Sequence, residues 1–170
     1  LNYENILQEV ANLADGNVIE FGVGTGNLTQ KLLEKGANVT GIEPSAAMRN
    51  IARSKLPDVP MLNGDFLDFQ VNGPADAFVS TYAFHHLEDS EKARAIKKYS
   101  SLLSKGGKVI FADTVFKSEE VKQDFIKEAK MNHFLSLAQD LETEYYTTIP
   151  VLEEIFQSNG FSVQFKQLNR

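Results

Sequence analysis

No cysteine occurs in the 170 residues, which excludes disulfides and thiolate metal sites and fits a reducing cytoplasm. No apolar run approaches the roughly 18 residues from which a membrane-spanning helix is read, and no signal-peptide pattern opens the chain. Clustered basic residues are missing as well. The net charge is −6 and the longest basic run is Lys97-Lys98, whereas phosphate backbones call for gathered Lys and Arg, so a general nucleic-acid binder is disfavoured. No repeat, linker or low-complexity stretch divides the sequence. The expectation is a cytoplasmic protein of one domain, residues 1–170, with neither a membrane nor a nucleic acid as partner.

Against these absences stands one dense signal. Val18-Ile19-Glu20-Phe21 delivers the backbone into Gly22-Val23-Gly24-Thr25-Gly26, with a helical pattern beginning at Asn27. Glycine tolerates positive φ and leaves no Cβ to block a ligand lying on the main chain. The helix that follows offers unpaired N–H groups to a polar or anionic group. A nucleotide-like cofactor suits such a turn. The dinucleotide fingerprint is G-x-G-x-x-G around a pyrophosphate. The spacing here is G-x-G-x-G, with Glu20 two residues ahead of the first glycine. That carboxylate would repel a pyrophosphate and attract an ammonium group. S-adenosylmethionine (SAM), with an amino acid tail beside a sulfonium and an adenosine, suits the turn better than NAD.

Two further strand ends carry acids. Asn38 to Ile42 runs into Glu43-Pro44, 21 residues after Gly22, where a carboxylate can accept both ribose hydroxyls. Pro44 stops the strand and Ser45 can cap the next helix. Met61-Leu62-Asn63-Gly64 ends in Asp65-Phe66, whose carboxylate can accept from an adenine amino group or, more plainly, cap its own turn. The expected cofactor-binding set is Glu20, Gly22, Gly24, Gly26, Glu43, Pro44, Asp65, Phe66 and Ser80.

Runs of β-branched and aromatic residues alternate with helical patterns, which predicts an α/β, doubly wound, mostly parallel Rossmann-like sheet. Strands are expected at 17–22, 38–43, 60–64, 76–81, 107–113 and 161–168. Helices are expected at 3–14, 26–36, 45–55, 90–104, 118–141 and 148–159.

Glu20-Phe-Gly22-Val-Gly24-Thr-Gly26, Glu43 and Asp65 together resemble the class I SAM-dependent methyltransferases, with Asp76 to Leu87 and Leu102 to Asp113 similar to the family's fourth and fifth strand motifs. The wording of Ser80 to Leu87 and Thr143 to Thr147 is similar to a small group of uncharacterised bacterial methyltransferases. The resemblance implies SAM as cofactor and methyl transfer to a small-molecule acceptor. It also implies a lid-like segment before the first helix, and a terminal antiparallel hairpin whose second arm has no sequence left after Leu168. The expectation is a longer protein or a sheet one strand short. Residues 117–148 fall where the family places a substrate-side helical insertion.

The chemistry is harder to read. His85 and His86 follow the fourth strand at the mouth where transfer would occur, and either can be read as a general base or as packing at the cofactor's rim, with packing the default. Tyr145 and Tyr146 cannot both point inward from a regular helix, and Tyr146 joins the candidates. No metal site is expected, because adjacent histidines on one turn point apart and no third ligand is evident. The fourth-strand motif lacks the Asn/Asp-Pro-Pro-Tyr sequence of methyltransferases acting on nucleobases and glutamine. Methyl transfer from a sulfonium requires mainly alignment and exclusion of water. The alternatives are an NAD- or nucleotide-binding oxidoreductase and a SAM-binding module without catalysis.

Overall fold

Parallel strands joined by crossover helices bury both faces of their sheet, and the computed structural model, which describes residues 1–169, shows both faces covered. Helix α1 (Tyr3–Leu13) leads into β1 (Asn17–Phe21), followed by α2 (Asn27–Glu34), β2 (Asn38–Ile42), α3 (Ala46–Lys55) and the short β3 (Met61–Leu62). Then come β4 (Ala75–Thr81), a 3₁₀ turn at Phe84–His86, α4 (Asp89–Leu102) and β5 (Leu103–Ala112). Helices α5 (Glu119–Met131), α6 (Leu135–Thr143) and α7 (Ile149–Ser158) complete the order. The sheet runs β3-β2-β1-β4-β5 with every pair parallel. Strand order reverses between β1 and β4, which makes their carboxyl ends the switch point where such sheets bind ligands.

Alternation along each strand sorts the core into two layers. Val18, Val39, Ala77 and Val79 face Leu7, Val10 and Ala11 of α1, Leu28 and Leu32 of α2, and Ala52 of α3. Ile19, Phe21, Ile42 and Phe78 face Ala95, Ile96 and Tyr99 of α4 and Leu152 and Ile155 of α7. The second layer is aromatic: the Phe21 ring lies within 6 Å of the rings of Phe66, Phe69, Phe78 and Tyr99. A smaller cluster of Phe116, Ile126 and Leu141 packs α5 and α6 together, and an isolated parallel bridge joins Phe116 to Thr148.

Two expectations give way. Residues 161–168 form no strand, despite their alternating pattern. A strand exists only where a ladder partner takes its backbone groups, and this segment instead ties to α1 through Lys166 and Glu9 (3.0 Å) and to the amino terminus at Leu168 (2.9 Å). The described sheet is therefore all parallel and has five strands. The single helix expected at 118–141 is two. α5 ends in a Schellman motif: Phe134 N–H donates to Ala129 O (2.8 Å), His133 N–H donates to Lys130 O (3.1 Å), and His133 sits at φ +61°. No glycine marks this stop, so the apolar periodicity of 118–141 reads straight through it.

A β-branched residue tolerates that left-handed conformation least. His133→Val should lower stability by about 1–3 kcal/mol, whereas His133→Gly should leave it equal or slightly higher, read by urea denaturation of both variants.

Candidate active site

The glycine turn follows β1 at the level where β2 and β3 also end. Gly22, Gly24 and Gly26 all adopt positive φ, at +63°, +57° and +90°. Gly22 N–H still donates to Ile42 O, and Gly26 N–H closes the turn on Val23 O. Gly26 is the N-cap of α2 and supplies no side chain to cap it, which leaves the helix's first N–H groups to another acceptor. A Cβ at Gly22 would stand 3.2 Å from that of Ala83, but one at Gly24 would meet nothing within 4 Å. The turn is therefore open on the side where Gly24 bares its main chain.

Two carboxylates back this turn. Glu20 is 2 % exposed and accepts a hydrogen bond of 2.5 Å from the Thr29 hydroxyl of α2. Burial pushes its carboxyl up to about 8, the Thr29 bond works against the rise, and the nearby charge of Glu43 adds to it. Glu43 lies one residue past β2. Its Oε1 accepts from Gly24 N–H (2.8 Å) and its Oε2 from Ser45 N–H (2.9 Å), so one side chain ties the glycine turn to the start of α3. Arg49 reaches back to the carbonyls of Glu43 and Pro44.

The remaining expected residues divide. Asp65 is exposed and its Oδ1 already accepts from Leu67 N–H and Asp68 N–H, the turn-capping job, which leaves Oδ2 open. Pro44 is exposed beside Glu43. Phe66 is buried in the aromatic layer against Phe21, Phe84 and Phe111. Ser80 lies between Phe21 and Phe111 in the strand register, and its buried hydroxyl has no hydrogen-bond partner. Such an orphaned donor costs free energy unless a ligand or water meets it.

Beyond β4 a second constellation forms. Tyr82 holds a left-handed φ of +56°, donates its N–H to Ala112 O, and stacks on Tyr3 at 6.0 Å. His85 Nδ1 lies 2.7 Å from Asp113 Oδ1, and Asp113 Oδ2 accepts the His85 backbone N–H (2.8 Å). Asp113 thus fixes both ring and backbone of one histidine. Burial disfavours the charged imidazole, but the hydrogen bond and charge of Asp113, with Glu144 and Asp140 adding, hold its pKa above the ordinary histidine value. Tyr146 stacks on the His85 ring (4.5 Å, 18°) and donates its hydroxyl to Asp140 Oδ2 (2.7 Å). Burial first, then Asp140, raises the Tyr146 pKa. His86 Nδ1 lies 3.1 Å from Glu144 Oε2.

The histidine rings do not point apart as expected. Their centroids are 4.4 Å apart, and Glu144 supplies a third donor within 4.8 Å of one from each ring. A strap of backbone, Tyr145 to Thr148, holds this side in place. Tyr145 N–H donates to His85 O, buried Lys92 donates to Tyr145 O, Lys122 donates to Tyr146 O, and Phe116 N–H donates to Thr147 O. Sequence reasoning passed over Asp113, Asp140, Glu144 and Lys92 as site residues. Only Asp113 carried a signal, as an acid closing a strand in the manner of Glu43.

The strand order defines a doubly wound α/β protein whose acid-bearing strand ends gather at the switch point. A family model described as a methyltransferase domain matches residues 18–107. The chain is 57% identical to an uncharacterised methyltransferase of Bacillus cytotoxicus and 56% identical to one of Bacillus mycoides, in each case over 99% of this chain and 80% of the relative. Among solved structures, the cyclopropane synthase MmaA2 of Mycobacterium tuberculosis covers 96% of this chain and 61% of its own at a TM-score of 0.73 and 18% identity. The SAM complex of the glycopeptide N-methyltransferase MtfA covers 68% of this chain and 51% of its own at 0.59 and 22%. The chain thus spans four-fifths of those curated relatives and about half of MtfA.

The chain belongs to the methyltransferase domain family, among the class I SAM-dependent enzymes. The residues present fit that family's cofactor: the open face at Gly24, the uncapped start of α2 and the carboxylate of Glu43 meet at one place. No helix of the described residues is long and apolar enough to cross a membrane.

Glu20 yields a prediction about pH. Its native pKa of about 8 lies above the unfolded value near 4.5, so the native state binds more protons in between and stability falls as pH rises through that window. Each unit is worth about 1.4 kcal/mol. Glu20→Gln should flatten the decline and be the more stable protein at pH 8.5, with little difference at pH 4.5, measured by urea denaturation at both values.

Proposed function

We propose that this protein transfers the methyl group of SAM to a small-molecule acceptor in the cytoplasm. The observation that carries the reading is the meeting of an open glycine turn with the Glu43 carboxylate at the switch point between β1 and β4. Glu43 receives the ribose hydroxyls, since each of its oxygens keeps a lone pair beyond its backbone bond. Gly22, Gly24 and Gly26 let the amino acid tail lie against the main chain, with Glu20 beneath as the counter-charge for its ammonium group. Asp65 offers Oδ2 to the adenine amino group, and Pro44 and Phe66 flank that side. The Ser80 hydroxyl gains its missing partner at the floor.

Bound SAM supplies an electrophilic methyl and a neutral leaving group. The protein's own work is alignment and exclusion of water. Helices α5 and α6, in the 117–148 segment, flank the acceptor side, where Tyr146 stacks on His85. The dispersed basic residues support a small molecule rather than a nucleic acid as acceptor.

SAM and S-adenosylhomocysteine should raise the melting temperature, by about 2.7 kcal/mol of stabilisation at a hundredfold excess over Kd, while NAD and NADP do not. A shift with NAD and none with SAM would overturn the reading, and binding without turnover on any acceptor would leave a SAM-binding module. Glu43→Ala should weaken S-adenosylhomocysteine at least about tenfold by calorimetry, because hydrogen bonds to charged groups are worth about 1.5–3 kcal/mol each. It should also lower the stability of the free protein. Glu43 is buried and holds two backbone amides of the free protein.

A further inference from the structure

The acceptor side is built from aromatic rings and unbalanced carboxylates. Asp113, Asp140 and Glu144 each approach His85 or Tyr146 closely enough for their charge to be felt at both. Asp113 bonds both the ring and the backbone N–H of His85 and accepts from Thr114 N–H, Asp140 accepts from Tyr146, and Glu144 meets His86. Lys92 and Lys122 are the cations of the strap, and neither pairs with any of the three acids. Lys92 binds Asp89 and the Tyr145 carbonyl, and Lys122 binds the Tyr146 carbonyl. The exposed ring of Tyr82, close enough to Asp113 to be influenced by it, and the ring of Tyr146 add π-faces. Carboxylates beside aromatic faces attract organic cations and repel anions.

Within this setting His85 is prepared for proton transfer. The Asp113 carboxylate can only accept, so Nδ1 carries the proton and the neutral ring keeps its lone pair on Nε2. Packing accounts for a buried ring stacked on Tyr146. It gives no reason for a carboxylate that fixes the tautomer and supports the charge that forms on protonation, the arrangement of a base and its orienting group.

We propose that the acceptor is an amine, drawn in as its ammonium form by Asp113, Asp140 and Glu144, with His85 as the base that frees its lone pair. The ammonium proton passes to His85 Nε2. The amine nitrogen then forms a bond to the methyl carbon as the carbon–sulfur bond breaks, and that electron pair remains on sulfur as S-adenosylhomocysteine. The methylated amine forms directly as its cation, with no lone pair left to take a proton, and His85 releases the proton it took to water. Asp113 is a positioning residue in this step.

This inference rests on the methyltransferase reading, and the test separates the two. The full chain, saturated with S-adenosylhomocysteine, is titrated calorimetrically with benzylamine, benzyl alcohol and benzoate, probes of one shape and three charges. Benzylamine should bind at least about tenfold more tightly than either. Asp140→Asn and Glu144→Gln, both at the rim, should each reduce that preference at unchanged S-adenosylhomocysteine affinity. Primary amines should support S-adenosylhomocysteine release, and His85→Asn should reduce it by about 10²–10⁴ with SAM affinity kept. Asp113→Asn should give a comparable loss and, by keeping the shape of the site, guards against misfolding of the histidine variant.

Equal or stronger binding of the alcohol or benzoate, no measurable preference, or a loss below tenfold in His85→Asn would overturn the proposal. So would turnover or probe binding that chelators abolish, since His85, His86 and Glu144 would then be holding a metal ion. Failure of the wild-type chain to bind SAM at all would instead defeat the broader reading.

Discussion

The carboxylate of Glu43 is the tie on which the strand-end surface depends. A parallel sheet delivers its connections independently, each leaving its own strand. Here one side chain past β2 holds the turn after β1 through Gly24 and the entry to α3 through Ser45. Without it, three glycines in left-handed conformations would carry a large conformational freedom. With it, the turn is held in shape before any ligand arrives, which lowers the ordering cost of binding. The proposed ribose contacts fall to the same oxygens that organise the protein.

A second carboxylate sets the electrostatic condition. Glu20 and Glu43 back the same turn, and Glu20 is too deeply buried to ionise easily. A neutral Glu20 removes like-charge repulsion between the two. An approaching ammonium group reverses that balance by favouring the charged form. Thr29 supports either state, because its hydroxyl can donate to a carboxylate and accept from a carboxylic acid.

The proposed cofactor side is legible in sequence because its determinants are local. Gly22 to Gly26, Glu43 and Asp65 each close a strand whose apolar run announces it, and parallel register then brings the three ends level. The acceptor side is not local. Asp113 comes from the end of β5, Asp140 from α6, and Glu144 and Tyr146 from the segment after α6, and only folding sets them around His85. The broken helix at His133 escaped for a related reason. Its Schellman geometry uses backbone bonds and a histidine in place of the customary glycine, so nothing in the periodicity shows the stop. Residues 161–168 show the opposite failure: an alternating pattern states a capacity for pairing and does not supply a partner.

The two sides are joined by backbone rather than by contact between functional groups. β4 adjoins β1 through Ser80 and Phe21 and leads directly to Tyr82 and His85. The strained φ of Tyr82 turns the chain sharply at that point, and the N–H of Tyr82 remains bonded to Ala112 of β5. Asp113, the residue just past β5, then receives His85. A shift of β5 against β4 would therefore move Asp113 and Tyr82 together and turn the His85 ring with them. Lys92 and Lys122 oppose such a shift by fixing the carbonyls of Tyr145 and Tyr146, and Lys92 does so from a buried position where leaving it unpaired would be costly. The alignment that methyl transfer demands is in this way distributed over one strand pair and one strap, neither of which needs a dedicated catalytic side chain to hold its shape.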